Sequence, residues 1–336
     1  MKRLSITIIA ICVLVGFAIG FSLAHLQHVT VKEETRIFIP AQSTYQDVID
    51  TLDAHHCLKG HTIFNDFAKV LDYPDHIHAG SYLVEPQTTV LSLVRKLNNG
   101  NQDALRVTLN KQRTLKDLCD FFGSKLDINA DSLMAYLQSD SVCARYGHTP
   151  YSIIGLFPPN TYEFYWTTTP QALLNRMNKE SEHFWNNRSL KLDAIGLTRN
   201  EVLTIASIVE EETNCNDEKA DIASVYLNRH RIGMALQADP TVKFAIGDFT
   251  IRRIKGDMLT FDSPYNTYLH SELPPGPICT PSASSIDAVL QNKKTDYLFF
   301  CAKEDFSGRH NFAATSQEHA NNALKFHKAL NDRNIH

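Results

Sequence analysis

From Leu4 to Ala24 the chain reads LSITIIAICVLVGFAIGFSLA, 21 residues without a charge. A run of this kind cannot lie on the surface of a water-soluble domain. At about 1.5 Å rise per residue it matches, as a helix, the roughly 30 Å of a bilayer core. Lys2 and Arg3 precede it, so the N-terminus is expected in the cytoplasm and the rest of the chain across the membrane. Ser22-Leu23-Ala24 has the small-x-small form of a cleavage site, and a removed export signal is the alternative. The run is long for such a signal and reads better as an uncleaved anchor. Either way, the bulk of the chain is exported.

What remains of the 336 residues is long enough for two compact domains. The net charge of −4 and the lack of any Lys/Arg block argue against a polyanion-binding surface, so nucleic acid is not an expected partner. Of seven cysteines, Cys12 falls in the apolar run. Cys57, Cys119, Cys143, Cys215, Cys279 and Cys301 are scattered without a CxxC, which fits neither a disulfide framework nor a zinc site. A disulfide or two is left open.

Three segments share a plan of strand, turn and Thr-led helix: RIFIPAQSTYQDVIDTL (Arg36 to Leu52), GSYLVEPQTTVLSLVRKL (Gly80 to Leu97) and ALRVTLNKQRTLKDLCDFF (Ala104 to Phe122). In each, a Thr is placed to cap a helix whose apolar face packs on the neighbouring strand. Small units of this kind on an exported chain resemble LysM modules, which bind glycans; a spacer lifting the remainder off the membrane is the equal alternative. The pairs His55-His56 and His76/His78 belong to this region and are expected on loops. Further on, IGLFPPNTYEFYWTT (Ile154 to Thr168) reads as extended or turning chain, and Pro170 to Leu192 as one helix with a polar face.

GLTRNEVLTIASIVEEET then opens with Thr198 and, three residues on, Glu201, the capping-box signature of a helix start. Val202, Leu203, Ile205, Ala206, Ile208 and Val209 form an apolar stripe. At about 100° per residue its centre lies roughly 70° from Glu212, 90° from Glu210 and 170° from Glu211. Glu211 is therefore expected to face water, with Glu212 nearest the buried stripe. A carboxyl at an apolar margin, beside two others and at a helix C-terminus, is pushed toward its neutral form. That is what a general acid requires at neutral pH. Three solvated residues closing a helix are the plain alternative.

Downstream come S-V-Y-L-N-R, G-M-x-L-Q-x-D-P-T-V, P-Y-N-T-Y, L-P-P-G-P-I, P-x-x-x-S-I-x-A and H-x-F. Together with E-E-T, in this order and across Asn200 to Ala329, they resemble the endolytic murein transglycosylase (MltG, YceG-like) family. The resemblance implies cleavage of the β-1,4 bond between N-acetylmuramic acid and N-acetylglucosamine within peptidoglycan strands. The muramoyl C6 hydroxyl serves as internal nucleophile and leaves a 1,6-anhydro end. One carboxylate suffices because the nucleophile is tethered to the substrate, whereas hydrolases need a second. The family's acid/base corresponds to Glu212, with Glu210 as fallback.

The same resemblance places Gln237 and Asp239 along the glycan cleft; Tyr265, Asn266, Thr267 and Tyr268 combine rings and polar groups suited to a sugar face, with a partly buried edge strand as the alternative. LQADPTV is expected extended around Pro240, with Asp239 a local cap on the plainer view, and LPPGPI as a rigid wall. No cofactor is implied, and His310 with His319 lacks a third ligand at metal spacing. Partners implied are peptidoglycan strands, the membrane and cell-wall synthases, with the body outside a bacterial inner membrane. The expected fold class is α+β: a stub and anchor (1–28), a LysM-like region (29–125), a connecting region (126–195) and a catalytic domain (196–336). Two rival functions stay open: a tethered peptidoglycan-binding protein without activity, and a two-carboxylate hydrolase using Asp239.

Overall fold

The computed structural model describes residues 27–251 and 253–333. The apolar run and Cys12 lie outside them, and among the described residues no helix is long and apolar enough to cross a membrane. The chain is mixed α+β, with thirteen α-helices and three two-stranded sheets among the described residues. It divides into two compact units, one holding residues up to Val107 with Lys125–Asp127 and Tyr162–Thr169, the other holding the remainder.

In the first unit, β1 (Thr35–Ile39), α1 (Tyr45–Ala54), α2 (Thr62–Val70) and β2 (Gly80–Val84) run strand–helix–helix–strand, followed by α3 (Val90–Asn98). β1 and β2 pair antiparallel with Ile37 opposite Tyr82. Thr44 caps α1 in a reciprocal box with Asp47, and Thr89 caps α3. These side chains satisfy orphan N–H groups at the helix starts, as the sequence pattern requires. Ile37, Val48, Leu52, Phe64, Tyr82, Leu93 and Leu97 form its core, all fully buried.

β3 (Leu105–Leu109) pairs with β4 (Asn160–Phe164), and α4 (Leu115–Lys125) follows β3. The third repeat thus forms as strand and helix, but from Thr108 to Ser124 it belongs to the second unit and not with the first two repeats. Gln112 explains this: its N–H donates to Thr280 Oγ1 and its carbonyl accepts from Thr280 N–H, both at 2.8 Å.

The second unit continues through α5 (Ala130–Leu137), α6 (Asp140–Ala144), α7 (Pro170–Asn186), α8 (Ser189–Ile195), α9 (Arg199–Glu212), α10 (Lys219–Arg231), α11 (Asp239–Ile246) and α12 (Ala283–Leu290). The hairpin β5 (Phe299–Ala302) and β6 (His310–Ala313), then α13 (Ser316–Asp332), complete it. The single helix expected from Pro170 to Leu192 is two. The chain breaks where Arg188 folds over the Phe184 ring at 3.7 Å and clasps Asp287 at 2.7 and 2.8 Å.

α9 is the centre of this unit, packed by α10, α11 and α12. Its apolar residues form more than a stripe: Val202 to Val209 are all buried. The two polar members spend their hydroxyls on the backbone, Thr204 donating to Asn200 O and Ser207 to Thr204 O. A helix buried on every side leaves only its ends for chemistry.

LPPGPI packs its backbone directly on Tyr151 and Ser152, and a Cβ on Gly276 would overlap the Tyr151 carbonyl. Backbone cannot yield as a side-chain tip does. Gly276→Ala is therefore expected to destabilise the second unit by about 2–3 kcal/mol, read as a lowered urea midpoint with unchanged slope. An unchanged midpoint would show that the contact is soft.

Candidate active site

The three glutamates that end α9 have three different surroundings. Glu210 is held by Lys219 Nζ at 3.1 Å and by the Ser282 and Ser285 hydroxyls at 2.5 Å each. Burial works to raise its pKa, but these donors outweigh it and the carboxyl is held below its usual range. Glu211 does not face water as the helical wheel suggests. Its side chain is 15% exposed and paired with Lys111 at 2.7 Å and Arg113 at 3.5 Å. The wheel describes one helix, and the covering cations arrive from the segment before α4.

Glu212 lines a cavity of about 380 Å³ with Tyr226, Arg229, Leu236, Gln237, Asp239, Tyr268, Phe299, Phe300 and His319. The Tyr226 hydroxyl donates to its Oε1 at 2.6 Å. That bond occupies Oε1 and leaves Oε2 as the oxygen available to carry the carboxylic proton. Burial pushes the Glu212 pKa up to about 7, against the lowering bond from Tyr226. The nearby carboxylates of Asp239 and Glu211 push it up further, and Lys243 pulls it down. The residue keeps part of its surface open to the cavity, where a substrate oxygen has access.

LQADPTV is not extended. Asp239 and Pro240 open α11 in its first turn, where proline's missing N–H costs no helical bond, and Ala238 is the N-cap residue. Asp239 Oδ1 accepts from the Tyr268 hydroxyl at 2.6 Å, and burial with this bond holds the Tyr268 proton on. Gln237 sits in the left-handed region at φ 51°, its N–H donating to Thr267 O at 3.0 Å. A non-glycine held there is strained, and the surroundings supply the restraint. Arg229, 7% exposed, ties Leu298 O at 2.6 Å and Leu236 O at 2.7 Å, fixing β5 and the loop before Gln237 together.

Gln237, Asp239 and Tyr268 thus share the Glu212 cavity, and three other expected residues do not. Asn266 is fully buried, giving its amide to Leu259 O and Phe261 O while its Oδ1 accepts from Tyr268 N–H. Thr267, 1% exposed, bonds Ala238 N–H and Thr241 Oγ1. Neither offers a free group to a sugar; both shape the turn that presents Tyr268. Tyr265 packs on Phe244 at 4.7 Å, outside the cavity. Tyr226, Arg229, Phe299, Phe300 and His319 also line the cavity, and none of them is among the residues expected there from the sequence. The one available signal was the Y-L-N-R motif, which carries two of them. His319 stacks on Phe299 at 5.3 Å, and His310 pairs with Glu218. No metal-holding cluster occurs among the described residues, and the six described cysteines are free.

A larger cavity of about 600 Å³ lies elsewhere in this unit, by Arg145, His148, Trp185 and Arg199. Its one lining carboxylate, Glu182, is paired with Arg199 at 2.5 Å, so it offers no acid.

A carboxyl held near neutrality at the wall of a cleft has the surroundings of a general acid–base site. The YceG-like family model matches residues 37–325, and the chain belongs to that family. It is 26% identical to the endolytic murein transglycosylase of Bacillus subtilis (strain 168), over 95% of this chain and 92% of that one. It is also 26% identical to the endolytic murein transglycosylase of Streptococcus pneumoniae D39, over 88% of this chain but 58% of that longer one. A crystal structure of a YceG-like protein from Listeria monocytogenes superposes with a TM-score of 0.57 at 27% identity, covering 87% of this chain and 99% of that one.

Two tests follow from the carboxyl environments. Glu212 ionises in the folded state only near pH 7, against 4.5 ordinarily. Its stabilising contribution is complete below the ordinary value and lost as pH rises through the folded one. Glu212→Gln removes that loss, and is expected to stabilise the protein by about 3 kcal/mol at pH 8 and by almost nothing at pH 4. Glu210→Gln, by contrast, strands the buried Lys219 charge and should cost about 3 kcal/mol at neutral pH. Denaturation at both pH values checks the pair; equal effects of the two variants would contradict the partition.

Proposed function

We propose that this chain is an endolytic lytic transglycosylase of peptidoglycan, cutting the MurNAc–GlcNAc β-1,4 bond within strands with Glu212 as sole acid/base. The observation that carries the reading is a carboxyl poised near pKa 7 in a cleft, on a chain of this family. Protonated Glu212 gives its Oε2 proton to the glycosidic oxygen as the bond to C1 breaks. The resulting carboxylate, kept in place by Tyr226, takes the proton of the C6 hydroxyl as that oxygen closes on C1. Proximity of a hydroxyl on the same sugar replaces the second carboxylate of a hydrolase. Asp239 supports this division, since one of its oxygens is occupied by Tyr268.

In this reading the Leu4–Ala24 run tethers the enzyme to a bacterial inner membrane with its body outside, where it trims nascent strands. The strand–helix–helix–strand order of the first unit supports a LysM-like module steadying the glycan.

Mass spectrometry of peptidoglycan fragments tests the reaction, using the full chain beside Glu212→Gln. New 1,6-anhydromuramic ends from the wild type and none from the variant are expected. New reducing ends would replace the reading by a hydrolase using Asp239. Binding to sacculi without fragments would replace it by a binding protein.

Tyr226→Phe removes a bond that favours the Glu212 anion, so the alkaline limb of kcat/KM should move upward by about 1 pH unit and kcat should fall about tenfold. A limb that stays in place would remove Tyr226 from the acid's surroundings.

A further inference from the structure

Beside the acid lies a second, smaller cavity of about 180 Å³, lined by Arg113, Glu211, Pro240, Lys243, Phe244 and Phe249 with Ile278. It is bounded by the same two segments as the first. On α9, Glu212 faces one cavity and Glu211 the other; on α11, Asp239 faces one and Lys243 the other. Asp239 and Lys243 are four residues apart, about 6 Å along the helix, so α9 and α11 each contribute a side chain to both cavities.

The second cavity carries more positive charge than its own structure uses. Arg113 and Lys243 line it with a single carboxylate, Glu211, which Lys111 already pairs with at 2.7 Å from outside the lining. Arg113 stands 3.5 Å from Glu211 with its guanidinium 5.0 Å from the Phe249 ring centre, its side chain 43% exposed. Lys243 is partly buried and has no carboxylate within ion-pair distance among the described residues. A partly desolvated cation without a partner is costly, and an anionic ligand would remove that cost. Phe244, Phe249 and Pro240 supply apolar walls for short aliphatic groups beside the charge.

We infer that this cavity receives the acidic stem peptide of the substrate strand, its carboxylate on Lys243 and Arg113 and its small side chains against Phe244 and Phe249. This rests on the peptidoglycan reading above and adds to it a source of selectivity: strands bearing peptides are preferred to denuded ones. Lys243 and Arg113 act here as specificity residues that hold the peptide and not the scissile bond.

The test compares cleavage of uncrosslinked strands carrying stem peptides with the same strands stripped by an amidase, using the full chain. Wild type should favour the peptide-bearing strands, and Lys243→Gln should lower kcat/KM on them by about 10-fold with a much smaller effect on stripped strands. Lys243→Arg should retain the preference, and Arg113→Gln should weaken it. Equal losses on both substrates, or an alkaline limb displaced equally for both, would mean that Lys243 acts through Glu212 alone, and would overturn the inference while leaving the reaction standing. Wild type cutting neither substrate would overturn the reaction and the inference together.

Discussion

One hydrogen bond in a desolvated pocket governs how Glu212 holds its proton, and the proposed chemistry depends on it: Tyr226 to Glu212 at 2.6 Å. Burial alone would push the carboxyl far toward its neutral form and leave it a poor base after giving up its proton. A single neutral donor offsets part of that effect, leaving the pKa near 7, as the proposed mechanism requires of one group that is acid and then base. The two residues come from the helices that form the middle of the second unit, α9 and α10. The acid's environment is therefore tied to the packing of the core, and not to a mobile loop.

The run of three glutamates, repulsive in isolation, resolves by partition. Glu210 is anchored on buried Lys219 and two serines at the start of α12. Glu211 is paired with the cations of residues 111–113, and of the three Glu212 alone lines the cavity shared with Tyr226 and Asp239. Two ionised carboxylates with partners and one neutral carboxyl without a cation are mutually compatible. Each ion pair also fixes the end of α9, so the acid is presented at the tip of a helix that cannot fray without breaking them.

Local periodicity made a good part of this legible. Thr44, Thr89 and Thr198 are caps in sequence and in structure, because a cap involves residues only three apart. The singling out of Glu212 also followed from one helix's geometry. What could not be read was anything that arrives from another element. Arg113 reaches Glu211 across 98 residues of sequence, and Phe299, Phe300 and His319 enter the cavity from the C-terminal hairpin and α13. The burial of Asn266 and Thr267 was hidden for the same reason: polar residues in a Tyr-rich motif look like ligands until the turn they hold together is seen. Proline misled in LQADPTV because it is equally at home in an extended segment and in a first helical turn.

The most direct test of the account is the protonation state of Glu212 itself. Difference infrared spectroscopy of wild type against Glu212→Gln isolates one carboxyl across a pH titration. A protonated carboxyl band that persists at pH 6 and disappears with a midpoint near 7 is the predicted result. A midpoint near the ordinary 4.5 would mean an ionised residue at neutral pH, and would contradict the single-acid mechanism at its root.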